Sequence, residues 1–219
     1  PDAEYDDEMH IDLSTTPPLV AKPHSPDNVV PVEDVQDLEV HQVAIGSCTN
    51  SSLEDMLKVA EILQQGTVPH NVSLIVAPGS RQVLLDLTSC GALEDMIRAG
   101  ARIVETTCGF CNGVGQAPRS EGVSLRTSNR NFPGRSGTAD ANLYLVSPET
   151  AAVSALFGRL RDPRTFGQPV HVELPPEFAV DDSLIVPPAA ENEDVDIIRG
   201  PNIAPLPLFE SMPDSLSGE

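Results

Sequence analysis

From about residue 41 the chain alternates between short apolar, β-branched runs and stretches of helical period, and this alternation constrains its fold more than any other feature. "HQVAIG" (41–46) reads as a strand. "NSSLEDMLKVAEILQQG" (50–66) follows, with Leu53, Met56, Leu57, Val59, Ala60 and Leu63 close to a 3.6-residue repeat. Ser51 followed by Glu54 predicts a capping box at its start, and Gly66 predicts a stop. "VSLIVAPG" (72–79) is the next strand. "SRQVLLDLTSCGALEDMIRAG" (80–100) is a helix interrupted near Gly91, and "ARIVET" (101–106) is a third strand. "GVSLRTSN" and "ANLYLVS" read as two more strands. "SPETAAVSALFG" (147–158) is a helix, with Ser147 as cap, Pro148 at the first helical position and Gly158 at the end. Strands and helices in this order predict an α/β fold: a doubly wound, mainly parallel sheet covered on both faces.

Outside that middle the sequence changes character. Most of the 21 prolines fall in the first 35 residues and the last 45. Residues 1–40 are therefore expected to be an extended segment packing on the domain. Residues 41–174 are the α/β domain, and residues 175–219 an extended tail or a linker to a further domain. The first residue is Pro1, which suggests a piece of a longer polypeptide. A net charge of −20 argues against a nucleic-acid backbone or an anionic membrane surface as partner. No apolar run is long enough to span a membrane, and no signal peptide opens the chain; a cytoplasmic location is expected, or a mitochondrial matrix in a eukaryote.

Four cysteines in 219 residues do not make a disulfide scaffold. Cys48, in "IGSCTNSS", lies at the carboxyl end of the first strand; Cys108 and Cys111, in "ETTCGFCNGVG", follow the third. In open α/β sheets ligands gather at such ends. Each of the three sits in turn-like sequence, which suits a small buried hydrophobe poorly. Cys90, inside an apolar helical stretch, fits that bland reading and is left out of the site. Three thiols and no evident fourth ligand do not complete a structural zinc site. A cubane iron–sulfur cluster held by three thiolates would keep one iron open to a substrate oxygen. A second dense stretch, "RTSNRNFPGRSG" (126–137), carries Arg130 and Arg135 among Ser128, Asn129 and Asn131. Guanidinium forks bind carboxylates bidentately, and an anionic substrate of so acidic a protein needs such a local positive pocket.

Together "IGSCTNSSLEDM", "CGFC" and "TSNRNFPGR", with "PHSPDNVVPV" and "YLVSPETAA", resemble the aconitase superfamily over nearly the whole chain. The superfamily includes aconitase, homoaconitase and the isopropylmalate isomerase large subunit. The resemblance implies a [4Fe–4S] cluster ligated by Cys48, Cys108 and Cys111. It further implies that Arg130, Arg135 and Asn129 bind a tricarboxylate substrate, citrate or isocitrate, interconverted through cis-aconitate. In the family this region is the third of four domains, and the proton-transfer residues lie on the first and last. No catalytic residue is therefore assigned here, the partners are the remaining domains of the same enzyme, and the chain alone is expected to have little or no hydratase activity. The long stretch after "FGRLRDP" favours an aconitate hydratase over an isopropylmalate or homoaconitate isomerase. Two other classes stay open. One is a zinc or redox module using Cys108 and Cys111 alone, without a hydro-lyase role. The other is a non-catalytic interaction domain with buried thiols.

Overall fold

The computed structural model describes residues 3–178, 180–191, 194–196 and 198–207. The chain divides into two compact units, residues 1–180 and 181–219. In the second, the described residues carry no helix or strand, only turns such as those closed by Ile185 N–H to the Asp182 carbonyl and Ile203 N–H to the Gly200 carbonyl.

The first unit is built on a seven-stranded sheet. Five strands are parallel: β3 (Gln42–Gly46), β4 (Ser73–Ala77), β5 (Arg102–Ile103), β6 (Val123–Arg126) and β7 (Asn142–Leu145). The segment before residue 41, expected to lie on the domain as an extended arm, supplies two more. These are β1 (Leu19–Ala21) and β2 (Val29–Pro31), which add antiparallel at the β7 edge. The order is β2-β1-β7-β6-β3-β4-β5. The chain steps from β3 to β4 on one side and later returns to β6 on the other, so the reversal of strand order falls between β3 and β6.

The fold class matches the expected α/β architecture, and both faces of the sheet are covered, though by different material. Strand alternation turns Val43, Ile45, Leu74, Val76 and Leu125 to one face. There they meet α1 (Leu53–Leu63), α2 (Arg81–Ser89), α3 (Ala92–Ala99) and α4 (Pro148–Phe157) in a single apolar core. Met56, Val59 and Leu63 of α1 and Met96 of α3 lose all contact with solvent there, each burial stabilising by roughly 1.5–3 kcal/mol for the larger side chains. On the opposite face Ala44, Ile75 and Ala77 are covered by Phe110 and Cys111. That layer is loop, because the connection from β5 to β6 carries the cysteines and only a 3-10 turn (Phe110–Asn112).

Three local expectations are corrected. The capping box of α1 is Ser52 with Asp55, not Ser51 with Glu54: Asp55 N–H donates to Ser52 Oγ and Ser52 N–H to Asp55 Oδ2, both at 3.1 Å. Ser51 instead turns its hydroxyl back to the Ser47 carbonyl, and Glu54 pairs with Lys58 at 2.7 Å. The third strand shrinks to two residues, since after Val104 N–H bonds the Val76 carbonyl the chain leaves the sheet for the cysteine loop. Cys90 is exposed, at the carboxyl end of α2 where Gly91 separates it from α3, rather than buried.

Candidate functional site

The carboxyl edge of the sheet carries every residue singled out by sequence. Cys48 follows β3 in a tight turn and is exposed. Ser47 before it holds a left-handed φ of +78°, a conformation that costs a non-glycine residue on the order of 1–3 kcal/mol and collects at functional sites. The turn is braced from within. Thr49 N–H donates to Ser47 Oγ at 3.3 Å, and the Ser51 hydroxyl donates to the Ser47 carbonyl. It is braced from the residue after β6 as well, where Asn50 Nδ2 donates to the Thr127 carbonyl at 2.6 Å and Gly46 N–H to Thr127 Oγ1 at 2.8 Å.

The second loop presents Cys108 exposed and Cys111 buried. Its 3-10 turn places the two residues against each other, with Cys111 N–H bonded to the Cys108 carbonyl at 3.2 Å. The Cys111 carbonyl accepts from Ser136 Oγ at 3.1 Å, which ties this loop to the 127–137 loop. Burial pushes the Cys111 thiol up. The neighbouring Cys108 and Cys48 raise it further, while the Arg135 and Arg126 guanidiniums pull it down. Three thiols from two loops thus share one electrostatic neighbourhood, backed by two cations.

The carboxylate-binding candidates lie on the loop after β6. Arg135 donates from Nη1 to Asn112 Oδ1, one residue beyond Cys111, and its guanidinium carbon stands 6.0 Å from the Phe132 ring centre. Arg130 and Asn129 are exposed and make no hydrogen bond or ion pair among the described residues. Asn131, read by sequence only as a neighbour, is buried and structural. Its amide donates to the carbonyls of Lys22 and Leu143 at 2.8 and 3.2 Å, which ties the loop to the segment after β1 and to β7.

Sequence reasoning missed the layer beneath. Arg126, Gln42, Ser124 and Thr127 are all buried under the two loops. The signal available was alternation: Gln42, Ser124 and Arg126 sit at the positions of β3 and β6 that face away from the helices.

Among the described residues no group of three or more His, Cys, Asp or Glu side chains is gathered to hold a single metal ion. A four-iron cluster is wider than one ion, so its thiols stand further apart. The donor set fits such a group in its chemistry: three thiols, soft donors of the kind an iron–sulfur cluster takes, on two loops at one edge of the sheet. A cavity of about 490 Å³ lined by Lys58, Ile62, Val153, Arg164 and Phe166 lies on the helical face and includes none of these residues.

A family model described as the aconitase family (aconitate hydratase) matches residues 33–158. The chain is 47% identical over 167 residues to 3-isopropylmalate dehydratase large subunit 1 of Methanopyrus kandleri, covering 76% of this chain and 40% of that protein. It is 43% identical over 158 residues to the methanogen homoaconitase large subunit of Methanocaldococcus jannaschii, covering 72% and 38%. It is 41% identical over 169 residues to 3-isopropylmalate dehydratase large subunit 1 of Thermotoga maritima, covering 76% and 40%. The chain therefore spans about two fifths of the length of the curated relatives it matches.

Proposed function

The chain belongs to the aconitase family, and from that premise we propose that it is the cluster-bearing part of a hydro-lyase of the 3-isopropylmalate dehydratase or homoaconitase kind. Identities of 47% and 43% to large subunits with those names support this choice. They outweigh the long C-terminal stretch that favoured a citrate-using aconitate hydratase. Beyond the 3-10 turn Pro163–Thr165, that stretch carries no helix or strand among its described residues.

The observation that carries the proposal is that the Cys48 turn and the Cys108–Cys111 loop are both tied to the 127–137 loop at one edge of the sheet, by Asn50 Nδ2 to the Thr127 carbonyl and by Ser136 Oγ to the Cys111 carbonyl. These thiols would hold a [4Fe–4S] cluster, which when bound supplies an iron with an open position able to polarise a substrate hydroxyl and carboxylate. The chain's own residues bind and orient. Arg130, exposed and unengaged among the described residues, would take a substrate carboxylate bidentately, with Asn129 next to it in sequence. Arg135, pinned by Asn112, adds a fixed positive charge next to the cysteine loop. In a chain of net charge −20 these guanidiniums set the local field a di- or tricarboxylate needs. Proton transfer falls to groups contributed by the rest of the enzyme, whether further domains or a small subunit, and the chain alone is expected to show no measurable turnover.

The test is anaerobic reconstitution with ferrous iron and sulfide, followed by iron and sulfide counts and visible spectra with 3-isopropylmalate or citrate added. Wild type should load four irons per chain, Cys48→Ser should not, and 3-isopropylmalate should perturb the spectrum more than citrate. Equal metal in Cys48→Ser would favour the Cys108–Cys111 zinc or redox module. No cluster in wild type would favour a non-catalytic interaction domain whose thiols have no metal role. Turnover by the chain alone would overturn the division of labour.

A further inference from the structure

Arg126 ends β6, and no solvent reaches it. Neutral acceptors hold its guanidinium. Nε donates to Ser124 Oγ at 3.1 Å, Nη1 to the Phe110 carbonyl at 2.8 Å, and Nη2 to Gln42 Oε1 at 2.8 Å and the Gln116 carbonyl at 3.4 Å. The Phe110 ring centre lies 5.9 Å from the guanidinium carbon. No carboxylate pairs with it among the described residues. Among the described residues, the charges that bear on it are Cys111, which as a thiolate would attract it, and Arg135, which repels it. Burial presses its pKa down to about 10, so it remains a cation at neutral pH.

A buried cation without a counter-ion is a costly arrangement, and neutral dipoles offset only part of the desolvation. The sequence has 33 acidic residues to choose from, yet the acceptor at this position is the amide of Gln42. Ser124 Oγ also donates to Gln42 Oε1, at 2.8 Å, and Gln42 Nε2 donates to the Gln116 carbonyl at 3.2 Å, so the amide both accepts and donates where a carboxylate could only accept. Such a pocket is built to leave the guanidinium charge unneutralised by the protein and directed at what lies above it. Above it, one bond from the Phe110 carbonyl it grips, is Cys111.

We propose that Arg126 is the buried counter-charge of the anionic cluster held by Cys48, Cys108 and Cys111: a positioning residue that anchors the cysteine loop through the Phe110 carbonyl and raises the cluster's reduction potential. This rests on the cluster reading above. Thiolate-bound clusters gain a negative charge on one-electron reduction, and hydrogen bonds and charge near the sulfurs tune their potentials. A fixed cation nearby favours the reduced form, so removing or neutralising it lowers the potential.

The test reconstitutes the full chain with iron and sulfide and measures the midpoint potential of wild type, Arg126→Gln, Arg126→Lys and Gln42→Glu. Gln42→Glu keeps the acceptor of Arg126 Nη2 and gives the guanidinium an internal partner, giving up only the Gln42 Nε2 bond to the Gln116 carbonyl at 3.2 Å; it leaves the Phe110 anchor in place and still decides if Arg126→Gln fails to fold. Arg126→Gln and Gln42→Glu should each lower the potential by about 59 mV or more, a tenfold shift in a one-electron couple, and Arg126→Lys should recover most of it. Equal potentials in wild type and Gln42→Glu overturn the counter-charge, even if Arg126→Gln loses cluster through a loosened loop. A wild-type chain that takes up no iron and sulfide rejects the cluster reading itself, and this inference with it.

Discussion

Gly113 lies so close to Ser136 that a β-carbon added to it would sit 2.2 Å from the Ser136 carbonyl oxygen, and its φ of +87° is one that side chains rarely adopt. The contact joins the cysteine loop to the loop carrying Arg130 and Arg135, alongside the Ser136 hydroxyl bond to the Cys111 carbonyl. Gly113→Ala must therefore both strain the backbone and separate the loops, and should cost at least ~2 kcal/mol. Gly115→Ala, at φ +65° with nothing within 4 Å of the added carbon, should cost only the conformational part, roughly 1–2 kcal/mol. Urea midpoints of the two variants decide; a Gly113→Ala no worse than Gly115→Ala would refute the close approach.

Thr127 closes the other joint of the site. Its hydroxyl accepts from Gly46 N–H at 2.8 Å and donates to the Gly46 carbonyl at 3.1 Å, both groups buried beneath the Cys48 turn. Thr127→Val keeps the shape and leaves a buried N–H unpaired, a loss of about 1–3 kcal/mol. Thr127→Ser should retain most of the stability. Thermal unfolding of the pair separates the hydroxyl from the methyl.

The reassigned cap of α1 makes a direct comparison. Ser52→Ala removes the hydroxyl that accepts from Asp55 N–H, leaves the Ser52 N–H bond to Asp55 Oδ2, and should cost about 1 kcal/mol. Glu54→Ala removes only an exposed i,i+4 pair with Lys58 and should cost under ~0.5 kcal/mol. Chemical denaturation that ranked them the other way would restore the Ser51–Glu54 assignment.

Acid should loosen the segment after α4 through Asp162. This nearly buried carboxylate caps the 3-10 turn Pro163–Thr165 and accepts from Arg164 N–H and Nε at 2.9 and 3.1 Å. The Arg164 side chain holds its pKa below the usual carboxylate range. A carboxylate depressed on folding contributes stability that is present above its unfolded pKa, roughly 3.9, and lost as pH falls through the folded value. Asp162→Asn should thus be less stable than wild type at neutral pH, with the difference closing below about pH 4. A constant difference across that range would assign the loss to packing.

Local chemistry alone dictated much of this chain. The cap, proline and glycine of α4, the breaks at Gly91 and Gly100, and the apolar runs of β3, β4 and β7 are short-range signals, and each element stands where its residues place it. The three cysteines and the two loop arginines stand out in the string by their chemistry, and the structure puts them on loops at the carboxyl edge of the sheet. Tertiary structure decided what pairing and burial decide. Ser51 and Ser52 are equivalent as a string, and only the turn at Ser47 determines which hydroxyl caps the helix. "ARIVET" has strand propensity throughout, but its neighbour β4 ends and the chain leaves for the cysteine loop. Arg126 ends a strand, and nothing in its immediate sequence calls for burial. It is buried because the connection from β5, lacking a helix, folds its own carbonyls over that face, and the cost of enclosing a charge depends on partners 16 and 84 residues away.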